Sequence, residues 1–274
     1  MSAHGIWSAT RRGADLRSRV AILLYSLFRY RPGVWRMAAK LGFRGDWCLR
    51  LRTPQEVARL VFDPQQTDEL TVVDELLYEG LYRAPCNCDV FVDCGAFRGI
   101  STVYLQDQVR AAVTIAIEPQ QQNFERLSRR LQVHLPASKA VNAALGVTSG
   151  EVFFAGEGVG GKISDEGIST RVVGPDDLPE LGKARCLLLK MDVEGAEKDL
   201  LPALLPLLPR KCVILLETHY IEEQVRQMLQ IYEDSGFSVV LLRKREDFEA
   251  GVDFIDWELC RGISSSAVNS IEGK

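Results

Sequence analysis

The sequence predicts an open α/β sheet, doubly wound and mostly parallel with helices on both faces, and three stretches carry that prediction. In the first, the apolar run Val90 to Val92 reaches Asp93, then a turn bracketed by Gly95 and Gly99, then Ser101 and Thr102 leading into Val103, Tyr104 and Leu105. That order is strand, tight loop, helix. In the second, Val113 to Ile117 reads as a buried strand ending in Glu118 and Pro119, followed by a helical pattern from Gln122 to Val133. In the third, an apolar strand from Cys186 ends in Lys190, Asp192 and Glu194, and Gly195, Ala196 and Glu197 open a helix running to Leu205. Ligands of such sheets bind outside the carboxyl ends of the strands, where a glycine turn lets them approach the backbone at a helix N-terminus. Residues 93 to 102 are therefore the expected floor of a small-molecule site.

At 274 residues the chain fits one large domain, or a domain with an extension. Its 46% hydrophobic and 26% charged residues are those of an ordinary soluble globular chain with a sizeable core. Seven cysteines, odd in number and irregularly spaced, argue for a reduced, cytoplasmic setting and against a disulfide framework. Cys86 and Cys88 lack a second Cys or Cys/His pair in the sequence to complete a zinc site, so they read as structural thiols.

The net charge of -4 is unevenly spread: residues 1 to 52 contain 11 Arg or Lys against two acids, Asp15 and Asp46. A basic N-terminal helical arm, residues 1 to 52, thus precedes an acidic body that we place at 53 to 262, with its core at 88 to 242. Within the arm, Val20 to Phe28 is apolar but too short to span a bilayer, which needs about 20 residues. No small-residue cleavage site follows it. Either it lies on anionic lipid, as a peripheral membrane contact, or caps the substrate pocket, or it packs on the domain with its arginines solvated.

Thr53, Pro54, Gln55 and Glu56 resemble a capped helix start, with a helix expected through about Phe62, and Thr71 to Leu81 reads as a second helix or the lead into the first strand. Beyond Val133, Ala140 to Leu145 is a short third strand, with Asn142 available to an adenine edge. Glu151 to Phe154 and Ser169 to Val173 are β-like runs flanking the glycine-rich stretch from Gly156 to Lys162, which is read as a lid. Val213 to Leu216 is a strand ending in Glu217, Thr218 and His219; a helix from Glu222 to Ser235, a stop at Gly236 and a C-terminal hairpin of Ser238 to Leu242 with Phe254 to Trp257 complete the sheet. Residues 263 to 274 read as a frayed tail.

The spacing at the glycine loop selects among ligands. It is Asp-x-Gly-x-x-x-Gly rather than the dinucleotide Gly-x-Gly-x-x-Gly, and the acid ahead of it repels a pyrophosphate but suits the ammonium of S-adenosylmethionine. Glu118, 19 residues beyond Gly99, sits where doubly wound folds grip a ribose diol. A plain turn and a surface acid remain the alternatives. Period-2 alternation sets Lys190, Asp192 and Glu194 on one side of their strand, and Glu217 and His219 on one side of the next. Asp192, Glu217 and His219 could then bind a hydroxyl and remove its proton, or ligate a divalent cation.

Six segments together resemble the FkbM family of S-adenosylmethionine-dependent methyltransferases: FVDCGAFRG at 91–99, AIEP at 116–119, NAALG at 142–146, DDL at 176–178, LKMDVEGAE at 189–197 and LETH at 216–219. The resemblance implies a Rossmann-like class I methyltransferase fold with a seven-stranded sheet. It implies that the loop at Asp93, Gly95 and Gly99 holds the methionine part of the cofactor, with Ala96, Phe97, Ser101, Thr102 and Asp192 as further cofactor-binding residues. Glu118 and Pro119 would take the ribose, with Asn142 and Ala143 beside the adenine. The sequence departs from the usual family pattern at Phe97 and Arg98, which bears on the local shape of the loop. The inherited expectation is O-methylation of a hydroxyl on a sugar, glycan or polyketide-type molecule. For that chemistry the residues themselves suggest His219 as base, Asp192 orienting the acceptor or holding a metal, Glu217 supporting one or the other, and Lys190 stabilising an alkoxide. Metal-free catalysis is preferred over a divalent cation. A nicotinamide-dependent oxidoreductase and a non-catalytic membrane- or glycan-surface protein are the other classes; no nucleic-acid partner is expected, because the acidic body has no basic groove.

Overall fold

A computed structural model of the chain describes residues 3–29, 31–40, 46–54, 57–155, 162–164, 167–247 and 252–263. It divides into two compact units, Met1–Arg83 with Ile100–Gln108, and Ala84–Gly99 with Val109–Lys274. The frayed tail expected at the C-terminus, most of the lid (156–161), and Gln55 and Glu56 lie outside the described residues.

The first unit contains helices α1 (Ala3–Arg12), α2 (Leu16–Phe28) and α3 (Pro32–Lys40), the antiparallel strands β1 (Trp47–Arg52) and β2 (Val57–Phe62), and helices α4 (Thr67–Asp74) and α5 (Ile100–Val109). Asp15 caps α2 by accepting the Ser18 N–H at 2.7 Å. The inner side of α2 is Ser18, Ile22, Tyr25 and Ser26. Tyr25 packs edge-on against Phe62 and donates to Asp74 at 2.9 Å, and Arg29 pairs with the same carboxylate. The outer side is apolar too: Leu16, Val20, Leu23, Leu24 and Leu27 are 41 to 76% exposed.

Residues 57–62 form strand β2, not a helix: Ala58, Leu60 and Phe62 are buried, and the strand pairs with β1 along its full length. Arg59 is further clamped by its backbone and guanidinium to Asp107 at 2.7 to 2.8 Å. Cross-strand pairing and burial outweigh the local capping signal at Thr53 and Pro54. The basic segment up to residue 52 is accordingly not wholly helical, since β1 closes it. The helix expected from Thr71 starts earlier, at Thr67, and continues beyond α4 as a wider π turn, Glu75–Glu79.

The second unit contains β3 (Val90–Cys94), β4 (Val113–Ile117), α6 (Gln121–His134), β5 (Lys139–Val141), β6 (Ala144–Leu145), β7 (Gly150–Ala155), β8 (Lys162–Ser164), β9 (Ile168–Val173), α7 (Glu180–Lys183), β10 (Cys186–Met191), α8 (Glu197–Leu204), β11 (Lys211–His219), α9 (Glu222–Asp234), β12 (Ser238–Asp247) and β13 (Val252–Arg261). Seven strands form one sheet in the order β12-β13-β11-β10-β3-β4-β5; all neighbours from β11 to β5 are parallel, and β13 and β12 are antiparallel. The predicted strand at 140–145 is two strands in different sheets: β5 joins the large sheet, while β6 joins β9, β7 and β8 in a second. One face of the large sheet builds the core, with Val90, Val92, Leu187, Leu189, Ile214 and Leu216 packed with Leu200, Leu204, Val225 and Leu229 of α8 and α9. Period-2 alternation sends Asp93, Lys190 and Glu217 to the opposite face.

Candidate active site

The glycine loop after β3 is fixed from both sides. The Gly95 and Ala96 N–H groups donate to the Ile117 carbonyl at 3.1 and 3.0 Å, and the Gly99 N–H closes the turn on Ala96. Gly95 has φ +75°, and a Cβ there would sit 1.8 Å from the Asp192 carbonyl oxygen, so this turn admits only glycine. Phe97 is left-handed as well, at φ +50°. Its N–H thereby reaches the Glu118 carboxylate at 2.8 Å, and the Gln120 N–H donates to the other oxygen at 2.9 Å. Arg98, the second departure from the family pattern, is buried, with Nε on Asn123 at 3.0 Å and its guanidinium over the Phe97 ring. The larger residues at 97 and 98 thus brace the loop.

Glu118 is 5% exposed, and burial pushes its carboxyl up to about 7 against the two backbone donors. The Asn142 side-chain amide donates to the Glu118 and Pro119 carbonyls at 2.9 and 3.1 Å, which ties the acid's backbone to the end of β5. Ala143 is fully buried beside it. Ser101 and Thr102 are buried in the first turn of α5, which belongs to the other unit.

Lys190 and Asp93 face each other in register across β10 and β3. The Lys190 ammonium donates to the Gly95 carbonyl at 2.7 Å and lies 3.3 Å from Asp93 and 3.7 Å from Asp192. Burial works against this charge, but Asp93, Asp192 and Glu217 outweigh it and raise the lysine above its ordinary range. Lys190 is therefore the pin between the glycine loop and β10. Asp192 Oδ1 is buried and has no hydrogen-bond partner among the described residues. An orphaned carboxylate oxygen beside the loop suits a cationic or hydroxylated ligand.

The expected alternation ends at Asp192. Glu194 lies beyond the strand in a left-handed turn, φ +54°, and its carboxylate comes 3.5 Å from His219 Nε2. Glu197, the first residue of α8, is fully buried, accepts from the Gly195 N–H and sits 3.3 Å from His219 Nδ1. The imidazole is thus gripped between two carboxylates, with the Phe254 ring edge-on at 5.0 Å. Burial disfavours its charged form, yet the Glu197 bond and the charges of Asp192, Glu197 and Glu194 push it up to about 9. Glu194 is pushed up to about 7 by burial and by Asp192. Glu217 is buried on the same face, 3.6 Å from Arg245. Donor atoms of Asp192, Glu194 and His219 all lie within 4.8 Å of one another.

The site thus assembles Asp93, Gly95, Lys190, Asp192, Glu217 and His219 at the carboxyl ends of β3, β10 and β11, with Glu118 at the end of β4. Sequence reasoning left out Glu194 and Glu197 as site residues. Their signal was present as two acids bracketing Gly195 and Ala196, but it reads equally well as an ordinary acidic helix start.

Residues 93–239 match the family model for the methyltransferase FkbM domain. No curated protein matches the chain. Among solved structures it is similar to a putative transferase, PH0793, from Pyrococcus horikoshii, with 16% identity, 87% of this chain and 86% of that chain covered, and a TM-score of 0.46. It is also similar to TYW2 of M. jannaschii in complex with AdoMet, with 14% identity, coverage of 80% and 87%, and a TM-score of 0.45. For methyltransferase FkbM from Methylobacillus flagellatus KT the figures are 16% identity, 93% and 58%, and 0.43.

Proposed function

The chain belongs to the FkbM methyltransferase family, with S-adenosylmethionine as its methyl donor, and from that premise we propose that it methylates a hydroxyl on a sugar, glycan or polyketide-type small molecule. The observation that carries this reading is the convergence of Asp192, Glu194 and Glu197 on His219 beside the glycine loop. Such a cluster orients a hydroxyl and accepts its proton.

The residues fit the cofactor. The loop from Asp93 to Gly99, the orphaned Asp192 oxygen and the buried Glu118 offer an anionic cradle for an ammonium and a ribose diol. When bound, S-adenosylmethionine supplies an electrophilic methyl group. The chain's part is to hold the acceptor oxygen and take its proton: Asp192 accepts the hydroxyl hydrogen bond, and neutral His219 is the base, steadied at Nδ1 by Glu197. Lys190 acts as a positioning residue, because its ammonium is committed to Asp93 and Gly95. It also lies 3.7 Å from Asp192 and supplies positive charge there without a divalent cation.

The test is transfer of labelled methyl from S-adenosylmethionine to a panel of hydroxylated acceptors, with and without magnesium. We expect transfer to oxygen, a rate indifferent to magnesium, and a fall of about 10²- to 10⁴-fold in kcat for His219→Asn with cofactor affinity retained. Transfer to nitrogen or carbon, or full activity in His219→Asn, refutes this reading.

A specific observation favours a peripheral membrane role for the N-terminal segment. No helix among the described residues is long and apolar enough to cross a membrane. The outward stripe of α2, Leu16, Val20, Leu23, Leu24 and Leu27, with exposed Arg17 and Arg19 beside it, nevertheless matches an anionic lipid surface. We expect the full chain to sediment with phosphatidylglycerol vesicles and not with phosphatidylcholine vesicles. Leu23→Glu with Leu27→Glu should abolish this binding; equal sedimentation with neutral vesicles, or binding unaffected by the double variant, counts against it.

A further inference from the structure

At the opposite, amino-terminal ends of the same two central strands lies a group of side chains that methyl transfer does not use. Cys88 precedes β3 by two residues, Cys86 precedes Cys88 by two, and Cys186 is the first residue of β10. Cys186 to Asp192 is six residues of nearly extended chain, about 20 Å, so this group is remote from the chemistry. The sequence separates Cys186 from the other two by about a hundred positions; parallel pairing of β3 with β10 brings all three together.

The sulfurs form a triangle. Cys86 and Cys88 are 3.9 Å apart, Cys86 and Cys186 3.7 Å, and Cys88 and Cys186 3.3 Å. Thiolates bound about 2.3 Å from one zinc ion at tetrahedral angles lie about 3.8 Å from each other. Two edges of the triangle therefore already match one face of a zinc tetrahedron. The third needs to open by about half an ångström.

The backbone that carries these thiols is fixed without their help. Asp89 accepts the N–H groups of Arg185 and Cys186 at 3.0 and 2.6 Å, its own N–H donates to the Cys186 carbonyl at 3.0 Å, and the Cys88 N–H donates to Val109 at 3.1 Å. Cys88 is buried while Cys86 and Cys186 are half-buried, so the triangle has a closed side and a side open to solvent. Three sulfur donors held in place, with one accessible side for a water as fourth ligand, match the three-ligand-plus-water arrangement of zinc sites that keep an open position, and thiolates favour a thiophilic d¹⁰ ion.

We propose that Cys86, Cys88 and Cys186 bind one zinc ion, which ties the start of β3 to the start of β10. The site is independent of the methyl-transfer reading. Only one other group of potential ligands of this kind occurs among the described residues, Asp192 with Glu194 and His219. Its oxygen and nitrogen donors give no sulfur signature.

The experiment is a titration of the reduced full-length protein with Cd²⁺, following the ultraviolet absorption of thiolate-to-cadmium charge transfer, and with Zn²⁺ against a chromophoric chelator. We expect one ion per chain. Cys86→Ser and Cys186→Ser should each weaken binding by more than about tenfold, a loss known even for outer partners of metal ligands, whereas Cys48→Ser, in the other unit, should not. Cys86 and Cys186 are both half-buried, unlike Cys88, so both serine variants are expected to fold, checked by circular dichroism. Zinc bound to the wild-type protein should also shield Cys86, Cys88 and Cys186 from alkylation, read by peptide mass spectrometry. Absence of a charge-transfer band, binding undiminished in both serine variants, or loss of the ion in Asp192→Asn instead would overturn the assignment.

Discussion

Gly95 and His219 show how single residues set what the site can do. At Gly95 a Cβ would overlap the Asp192 carbonyl in a left-handed backbone conformation. Gly95→Ala should therefore cost at least about 2 kcal/mol in urea unfolding and lose S-adenosylmethionine affinity, measured by calorimetry. At His219 the raised proton affinity, about 9, makes the imidazolium the neutral-pH form. If His219 is the base, kcat/KM should climb about tenfold per pH unit and level off near pH 9. A plateau near 7 would transfer the role to Glu194, whose carboxyl is pushed up to that value. The stability linkage has the opposite slope. Because the folded imidazole binds its proton more tightly than the unfolded one, its stabilisation is complete below the ordinary histidine pKa of about 6.5 and is lost as pH rises through about 9. The stability gap between wild type and His219→Asn should accordingly shrink between pH 6 and pH 9.5.

Among the elements, the joint between β3 and β10 carries a buried charge pair. Lys190 and Asp93 are in register, both buried, and the lysine also binds the loop carbonyl of Gly95. Lys190→Met leaves the Asp93 charge buried without its cation, a loss of about 3 to 5 kcal/mol. Asp93→Asn in the same chain should restore much of that, because the uncompensated charge is then gone. A double-mutant cycle in urea measures the coupling; simple additivity would show that the pair is not the source of the stability. The β1–β2 hairpin teaches a related lesson, since a sequence with a helix-start signal became a strand once partners at Leu49 and Leu51 were available.

At the scale of the whole molecule, the large sheet brings the carboxyl ends of four strands together at the candidate site, and the opposite, amino-terminal ends of β3 and β10 gather the cysteines. A ligand bound only by the folded sheet must stabilise it: S-adenosylmethionine at a hundred times its Kd should add about 2.7 kcal/mol. Thermal unfolding should shift upward with cofactor in the wild-type chain and much less in Asp192→Asn. An equal shift in both would remove Asp192 from the cofactor's surroundings.

The sequence by itself determined the succession of strand and helix along the chain from β3 to α6 and from β10 to α9, the Asp93 to Gly99 loop, and the placement of Glu118, Asp192 and Glu217 near strand ends. These are local patterns: an apolar run, an acid and a glycine turn are legible wherever they occur in a chain. Tertiary structure alone decided that 57–62 is a strand, that residues 140–145 serve two sheets, that Lys190 is spent on Asp93 and Gly95, and that Glu194 and Glu197 enclose His219. It also decided that Cys186 meets Cys86 and Cys88. The physical reason is common to all of these. Charge, proton affinity and strand pairing depend on neighbours contributed by distant segments, and a one-dimensional pattern contains no distances between them.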